Sequence, residues 1–355
     1  MLGPGPDLNQ SFPAAMAQPD LNQILRGEDV TAADLQSFVP ADFLTRNAAG
    51  NTPLHTAARY GHLGAVPAEL LSRAHILTAN DSGYTPLHHA ASGGHLDQIP
   101  PALLTPDNLR VRSNAGFTIF HIAAGEGHLG QIPAELLTPE IVTLANDLGN
   151  NLLHEAAEHG ALAQFPARYL TAELCATLNA SGETVYHVAA LNGHLDQLPA
   201  TLLTAANLLQ RTRAGDTVFH AAAISGHLDQ VPAELLVHDH LTIAAKSGYT
   251  AIHAAAETGQ LKYIPAAQFT RDLLLATNDH GDTPLHAAAY EGHIDQIPSA
   301  LLDDSTLHIR NYDGVSPLRT AVQRGHLDQI PAHLRPVPPS AFRRFLKKIG
   351  FAPRR

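Results

Sequence analysis

A block of small and apolar side chains, a polar stretch rich in Asn, Asp and Gly, and a second apolar block follow one another along the chain with a fixed period. Glycine stands at 50, 83, 116, 149, 182, 215, 248, 281 and 314, every 33 residues. A second glycine follows each by eleven residues and a proline by seventeen, from Gly61 and Pro67 to Gly325 and Pro331. Three markers held through nine copies without an insertion define a structural repeat. Such a unit cannot bury its own apolar face and must stack on its neighbours.

The unit from Gly83 to Gly116 shows how each marker works. Asn80-Asp81-Ser82-Gly83 has turn chemistry, because Asn and Asp side chains bond nearby backbone and Gly accepts positive φ. This stretch is expected to project as a turn. Thr85-Pro86-Leu87-His88 then opens a helix, with Thr as N-cap and Pro at the first helical position, where its missing N–H costs nothing. Ala90 and Ala91 let neighbouring helices approach, and Gly93-Gly94 ends the helix.

These residues carry a resemblance. Gly83-Tyr84-Thr85-Pro86-Leu87-His88, Ala90-Ala91 and Gly94-His95-Leu96 are similar, in type and spacing, to the G-x-T-P-L-H-x-A-A-x-x-G-H pattern of ankyrin repeats. The period agrees as well. The resemblance covers roughly residues 48 to 334. It implies an all-α ankyrin-repeat solenoid of stacked helix-turn-helix units with projecting turns, acting as a non-enzymatic protein-binding scaffold.

The second half of the unit departs from that family, which runs a continuous outer helix stopped by Gly-Ala. Here Pro100 falls inside the segment, followed by Leu103-Leu104 and a capping residue: Ser72, Thr105, Thr138, Thr171, Thr204, Thr270 or Asp303, with Val237 the exception. Four residues on, the side chain is apolar each time: Ile76, Leu109, Val142, Cys175, Leu208, Leu241, Leu274 and Leu307. Acidic residues such as Asp107, Glu140, Glu173 and Asp272 suit the start of a helix. The pattern predicts two short pieces, one begun by the proline and one by the Thr or Ser cap; one kinked helix is the alternative.

A stack needs polar-faced caps at its ends. Residues 20–49 read as the N-terminal cap, since Val39-Pro40-Ala41-Asp42-Phe43 keeps the register of Thr105 to Leu109. Residues 1–19, rich in Pro, Gly and Gln, read as disordered. The nine repeats run over 50–334, and residues 335–355 form a Pro-rich linker and a helix capped by Ser340. In that helix Phe342, Phe345, Leu346 and Ile349 make one apolar stripe, with Arg343, Arg344, Lys347 and Lys348 opposite. Three readings are open: a C-terminal cap, a basic amphipathic helix contacting membrane or an acidic partner, or a tail folded back on the body.

Composition narrows the chemistry. Hydrophobic residues make up 45% of the chain but aromatics only 5%, without Trp, which suits thin stacked helices. The net charge is -11, yet residues 1–339 hold 16 basic against 33 acidic side chains and the last sixteen hold six basic ones. An acidic body argues against nucleic acid as its partner. The single cysteine, Cys175, excludes an internal disulfide and fits a reducing compartment. Neither a secretory signal pattern nor an apolar run of about 18 residues is found, so a cytoplasmic, monomeric chain is expected.

Twenty-three histidines invite a catalytic or metal reading. Eight occupy the T-P-L-H position (His55, His88, His121, His154, His187, His220, His253, His286) and seven follow the second glycine (His62, His95, His128, His194, His227, His293, His326). A residue recurring once per repeat is expected to hydrogen-bond turns to helices in every copy. His154-Glu155-Ala156-Ala157-Glu158-His159 misses the zinc-protease spacing, its two histidines lying about 140° apart around a helix. His238-Asp239-His240 is a loop triplet without a third ligand. Cys175 replaces Leu or Ile at a core position. No phosphate-binding loop, nucleophile elbow or dinucleotide fingerprint is found, and neither cofactor, metal nor catalytic residue is expected.

Positions that differ between copies are free to specialise. At the turns they include Tyr84, Phe117, Arg213, Asp216, Lys246, Tyr249, Asp279, His280, Asp282 and Tyr312; at the end of the first helix, Arg59, Tyr60, Glu126, Glu158, His159, Glu257, Tyr290, Glu291 and Arg324. Among these Tyr60, Tyr84, Phe117, His159, Tyr249, Glu257, His280, Tyr290, Glu291 and Tyr312 are the expected partner-binding residues. Aromatic anchors favour interfaces; packing against the adjacent turn is the competing account of Tyr84, Phe117, Tyr249 and Tyr290. A scaffold binding protein through the concave face is the leading expectation. A membrane-recruited or secreted bacterial effector anchored through Arg343, Arg344, Lys347 and Lys348, with residues 1–19 as export signal, is the alternative.

Overall fold

Thr85 shows why each repeat begins with a helix. Its backbone is extended, its Oγ1 accepts from the His88 N–H at 3.4 Å, and His88 Nδ1 accepts from the Thr85 N–H at 3.1 Å. The imidazole thus fills the reciprocal place that Glu or Gln takes in a capping box. The helix ends at Gly94, whose φ of 75° is left-handed. The computed structural model describes residues 20–336 and repeats this helix nine times among them. The inner helices are α1 (Pro53–Tyr60), α2 (Pro86–Gly93), α3 (Ile119–Gly125), α4 (Leu152–His159), α5 (Val185–Asn192), α6 (Val218–Ser225), α7 (Ala251–Glu257), α8 (Pro284–Glu291) and α9 (Pro317–Arg324). The expectations for residues 1–19 and for the helix after Ser340 lie outside the described residues.

The described residues divide into two compact units, 20–123 with 131–133 and 124–130 with 134–336. In the first unit α1 packs on α2; in the second, α4 to α9 each pack on the next. The fold is all-α, an array of stacked helix-turn-helix repeats. Its only extended pairing among the described residues is one bridge, Ala244 with Thr250. The core is thin: Leu87, Ala90 and Ala91 of α2 and Leu285, Ala288 and Ala289 of α8 are fully buried. Small side chains matter because the backbones come close. A Cβ at Gly93 would lie 2.0 Å from the Arg59 carbonyl oxygen.

Six of the nine projecting turns are closed by Asn, as where Asn80 Oδ1 accepts from the N–H groups of Ser82 (3.0 Å) and Tyr84 (2.9 Å); Ser113 and Thr212 take its place in two, and Ala245 stands there in the third. Single backbone bonds tie successive turns within a unit, as from Lys246 N–H to Ala214 (3.0 Å) and Asp279 N–H to Ser247 (3.1 Å). The capping histidine adds the second tie. Nε2 of His220 meets the carbonyl of Tyr249 at 3.2 Å, and Nε2 of His253 that of Asp282 at 3.0 Å. Because a carbonyl only accepts and a backbone N–H only donates, the ring must be neutral with its proton on Nε2. The expected turn-to-helix role of these histidines is therefore carried by one tautomer. Burial also opposes their charging and lowers His55 and His88 to about 4.

The outer segment differs from its two-piece expectation. It has three pieces, illustrated by 3-10 turns at Leu96–Gln98 and Pro101–Leu103 and a short α-helix at Pro106–Leu109. Pro100 is the residue before the second turn rather than the first residue of a helix. The extra turn is held by a glutamine. Gln98 donates to the Gly61 carbonyl (2.7 Å) and accepts from the Leu63 N–H (3.0 Å), and Gln230 bonds Gly193 (2.6 Å) and Leu195 (2.9 Å) in the same way. The ring of the histidine after the second glycine packs closely against the glycine of the preceding repeat, as His95 against Gly61 and His227 against Gly193. Thr105 caps the short helix as expected, its Oγ1 accepting from the Asn108 N–H at 3.3 Å. The helix His238–Leu241 forms behind Val237 without a side-chain cap. All eight apolar positions from Ile76 to Leu307, Cys175 included, are fully buried.

Candidate functional site

The side of the second unit where inner helices and turns meet is shaped by one position, six residues after the first glycine. It holds Glu155 in α4, Val188 in α5, Ala221 in α6, Ala254 in α7 and Ala287 in α8. Alanine there leaves the floor low. Beside Ala287 a groove of about 390 Å³ opens across α7, α8 and α9, lined also by Asn278, Asp282, Asn311, Val315, Thr320 and Gln323. Its walls carry Tyr249, Glu257, Tyr290, Glu291 and Arg324. Tyr249, Glu257, Tyr290 and Glu291 were thus singled out by sequence, and the fold brings the four together.

Tyr249 is half-buried, stacked on the imidazole of His253 at 5.2 Å with its hydroxyl donating to Glu257 Oε2. Burial, and then the bond to Glu257, raise its phenol well above the usual range. Tyr290 is 50% exposed, and the Arg324 guanidinium lies over its ring, 3.4 Å from the centroid. Arg324 makes no ion pair, and the exposed Glu291 carboxylate has neither a hydrogen bond nor an ion pair among the described residues. Asp282 accepts from Asn311 Nδ2 at 2.7 Å. His253 and His286, both lowered by burial, are neutral at pH 7, so three carboxylates face one guanidinium in the lining.

The other expected residues lie elsewhere. Tyr60 ends α1, 44% exposed. Tyr84 and Phe117 are half-buried and stand edge-on to the imidazoles of their own repeats, His88 at 5.4 Å and His121 at 6.1 Å. His280 and Tyr312 sit on adjoining turns; the Tyr312 N–H bonds the His280 carbonyl at 3.0 Å, and its ring is 79% exposed. His159 is exposed, with Nδ1 against the Glu155 carbonyl at 3.0 Å. Arg343, Arg344, Lys347 and Lys348 lie outside the described residues. Sequence reasoning passed over Asn278, Ala287, Asn311 and Gln323; the signal available was the alanine six residues after the turn glycine.

Ankyrin-repeat models match the chain at residues 21–101 and 187–266, as sets of three copies, and at 280–312 as a single repeat. The chain belongs to the ankyrin-repeat family. Ankyrin repeats are protein–protein interaction modules, and the groove lies where ankyrin inner helices and turns meet. No curated protein matches the chain at a significant level.

Two further clusters bear on chemistry. Ligand atoms of Glu155, Glu158 and His159 lie within 4.8 Å of one another, yet Glu155 is already engaged. Its Oε1 accepts from Asn146 Nδ2 (2.9 Å) and Asn150 Nδ2 (3.1 Å), and His154 serves the ankyrin cap rather than the cluster. Cys175 is buried and its thiol is pushed up to about 12 by that burial, so it stays protonated at neutral pH. Among the described residues no helix is long and apolar enough to cross a membrane.

Proposed function

We propose that this ankyrin-repeat chain is a non-enzymatic scaffold or adaptor that binds a protein partner on the concave surface lined by its turns and inner helices, acting as a cytoplasmic monomer. The observation that supports this reading is the convergence of Tyr249, Glu257, Tyr290 and Glu291 on one open groove. Such a groove joins aromatic surface, which releases water on burial, to charge that sets orientation. In the same unit His159, His280 and Tyr312 add to the binding residues, and within the first unit Tyr60, Tyr84 and Phe117 are the corresponding candidates. A photo-crosslinking residue placed at Tyr290 or Phe117 is expected to trap the partner, whereas one at the outer Glu69 or Glu234 is not. Equal trapping at the outer positions would contradict the reading.

A further inference from the structure

Which partner chemistry would the groove across α7, α8 and α9 accept? Glu257, Asp282 and Glu291 line it against Arg324 alone, and the two lining histidines are held neutral by burial, their Nδ1 atoms accepting from the backbone N–H groups of Thr250 and Thr283. Among the described residues Glu291 has no partner, and Glu257 has only the hydroxyl of Tyr249. An exposed carboxylate without a partner stays hydrated, so its position costs little until a cation arrives. The second feature is the ring of Tyr290. Its face already holds a guanidinium, that of Arg324, to which no carboxylate is bonded among the described residues. A flat cation therefore fits between this ring and the rim carboxylates. The groove is specialised, since the positions of Glu257, Tyr290 and Glu291 are taken in α5 and α6 by Leu191, Asn192, Ile224 and Ser225.

We infer that the groove binds an arginine-bearing segment of the partner protein, whose guanidinium takes the Tyr290 face in exchange for Arg324 and pairs with Glu291 and Glu257. This rests on the protein-binding reading above and names the partner's chemistry. Arg324 becomes an internal competitor: its own side chain holds the place until the partner displaces it. The sign of its effect separates this inference from its opposite. If the groove recognised an acidic segment, Arg324 would be the anchor and its loss would weaken binding.

The probe is fluorescein-labelled octa-arginine, read by fluorescence anisotropy on the full-length chain, with octa-glutamate alongside. Glu291→Gln and Tyr290→Leu are each expected to weaken octa-arginine about tenfold, and Arg324→Ala to tighten it about threefold. Glu234→Gln and Arg110→Ala change the net charge equally at exposed positions outside the groove and are expected to leave affinity unchanged. Thermal melts by circular dichroism confirm that each variant folds. Weakening by Arg324→Ala, preference for octa-glutamate, or equal effects of the outer variants would overturn the inference. So would octa-arginine binding seen only after Arg343, Arg344, Lys347 and Lys348 are changed to Ser, which would make the chain's own basic segment the occupant. Loss of the inference with partner trapping at Tyr290 intact would leave the scaffold reading standing; loss of trapping there would remove both.

Discussion

α4 and α8 are the same helix in two repeats, but α4 carries Glu155 where α8 carries Ala287. In α4 the space above the helix is filled by the Glu155 side chain, 97% buried and bonded to Asn146 and Asn150. In α8 the equivalents of those partners, Asn278 and Asp282, line an open groove. Everything beneath is shared: the capped start, the neutral histidine, the left-handed glycine at 160 and 292. The difference teaches that the frame and the recognition surface are separable in this fold. The two repeats differ at Glu155 against Ala287 and at Asn150 against Asp282, and with those differences goes whether the space above the helix is filled or open.

The largest effect tests the shared frame. His55, His88 and His89 are lowered from 6.5 to about 4, chiefly by burial, and His154, His187, His220, His253 and His286 are lowered for the same reason. Between these values the unfolded chain binds protons that the folded chain refuses, so stability rises with pH across the window. It is complete above 6.5 and is lost as pH falls toward 4. Urea midpoints at pH 7.5 and 5 should fall steeply; a flat profile would mean that the rings tolerate charge in place.

Single histidines come next. His154→Ala and His253→Ala each leave a capping N–H unpaired and remove a tie to the next turn, whose carbonyl keeps only the bond within its own turn, and each is expected to cost about 3 kcal/mol by urea unfolding. A large inequality between them would break the claim that closed and open repeats share one frame. Ala287→Glu probes the difference itself. A carboxylate placed beside Asp282 should cost about 2 kcal/mol, and adding Asp282→Asn, which restores the Asn-Glu-Asn set of the Glu155 site, should recover most of it. Failure of that rescue would show that more than these two positions separates the two repeats.

The smallest effect concerns Glu155. Burial is the main cause of its raised pKa, opposed by the bonds from Asn150 and Asn146. The folded state therefore holds the proton more tightly than the unfolded one, and the carboxylate costs stability as pH rises past its ordinary range. Glu155→Gln should lie within about 1 kcal/mol of the parent and gain on it as pH rises above the ordinary value of 4.5. A difference independent of pH would contradict the direction of that shift.

The frame was legible because it is written in periodic residues: Thr85 and His88 for the cap, Gly94 for the stop, Leu109 and Cys175 for the outer core. The three-piece outer segment was not. Its first turn is three residues long and is held by Gln98 reaching back to Gly61, a tie that leaves no trace in a hydrophobic pattern. For the site, Tyr249, Glu257, Tyr290 and Glu291 stood out as aromatic or charged departures from the repeat. The opening did not, because it comes from the small size of Ala287, and Asn311 looked like an ordinary turn residue.

The central claim is that the open space beside Ala287 makes the binding site, and the Ala287→Glu, Asp282→Asn double variant tests it most directly. Titration with labelled octa-arginine, against Asp282→Asn alone as reference, is expected to show affinity reduced more than about tenfold while the thermal melt stays within about 5 °C of the parent. A double variant that melts like the parent and binds like the reference would contradict the account.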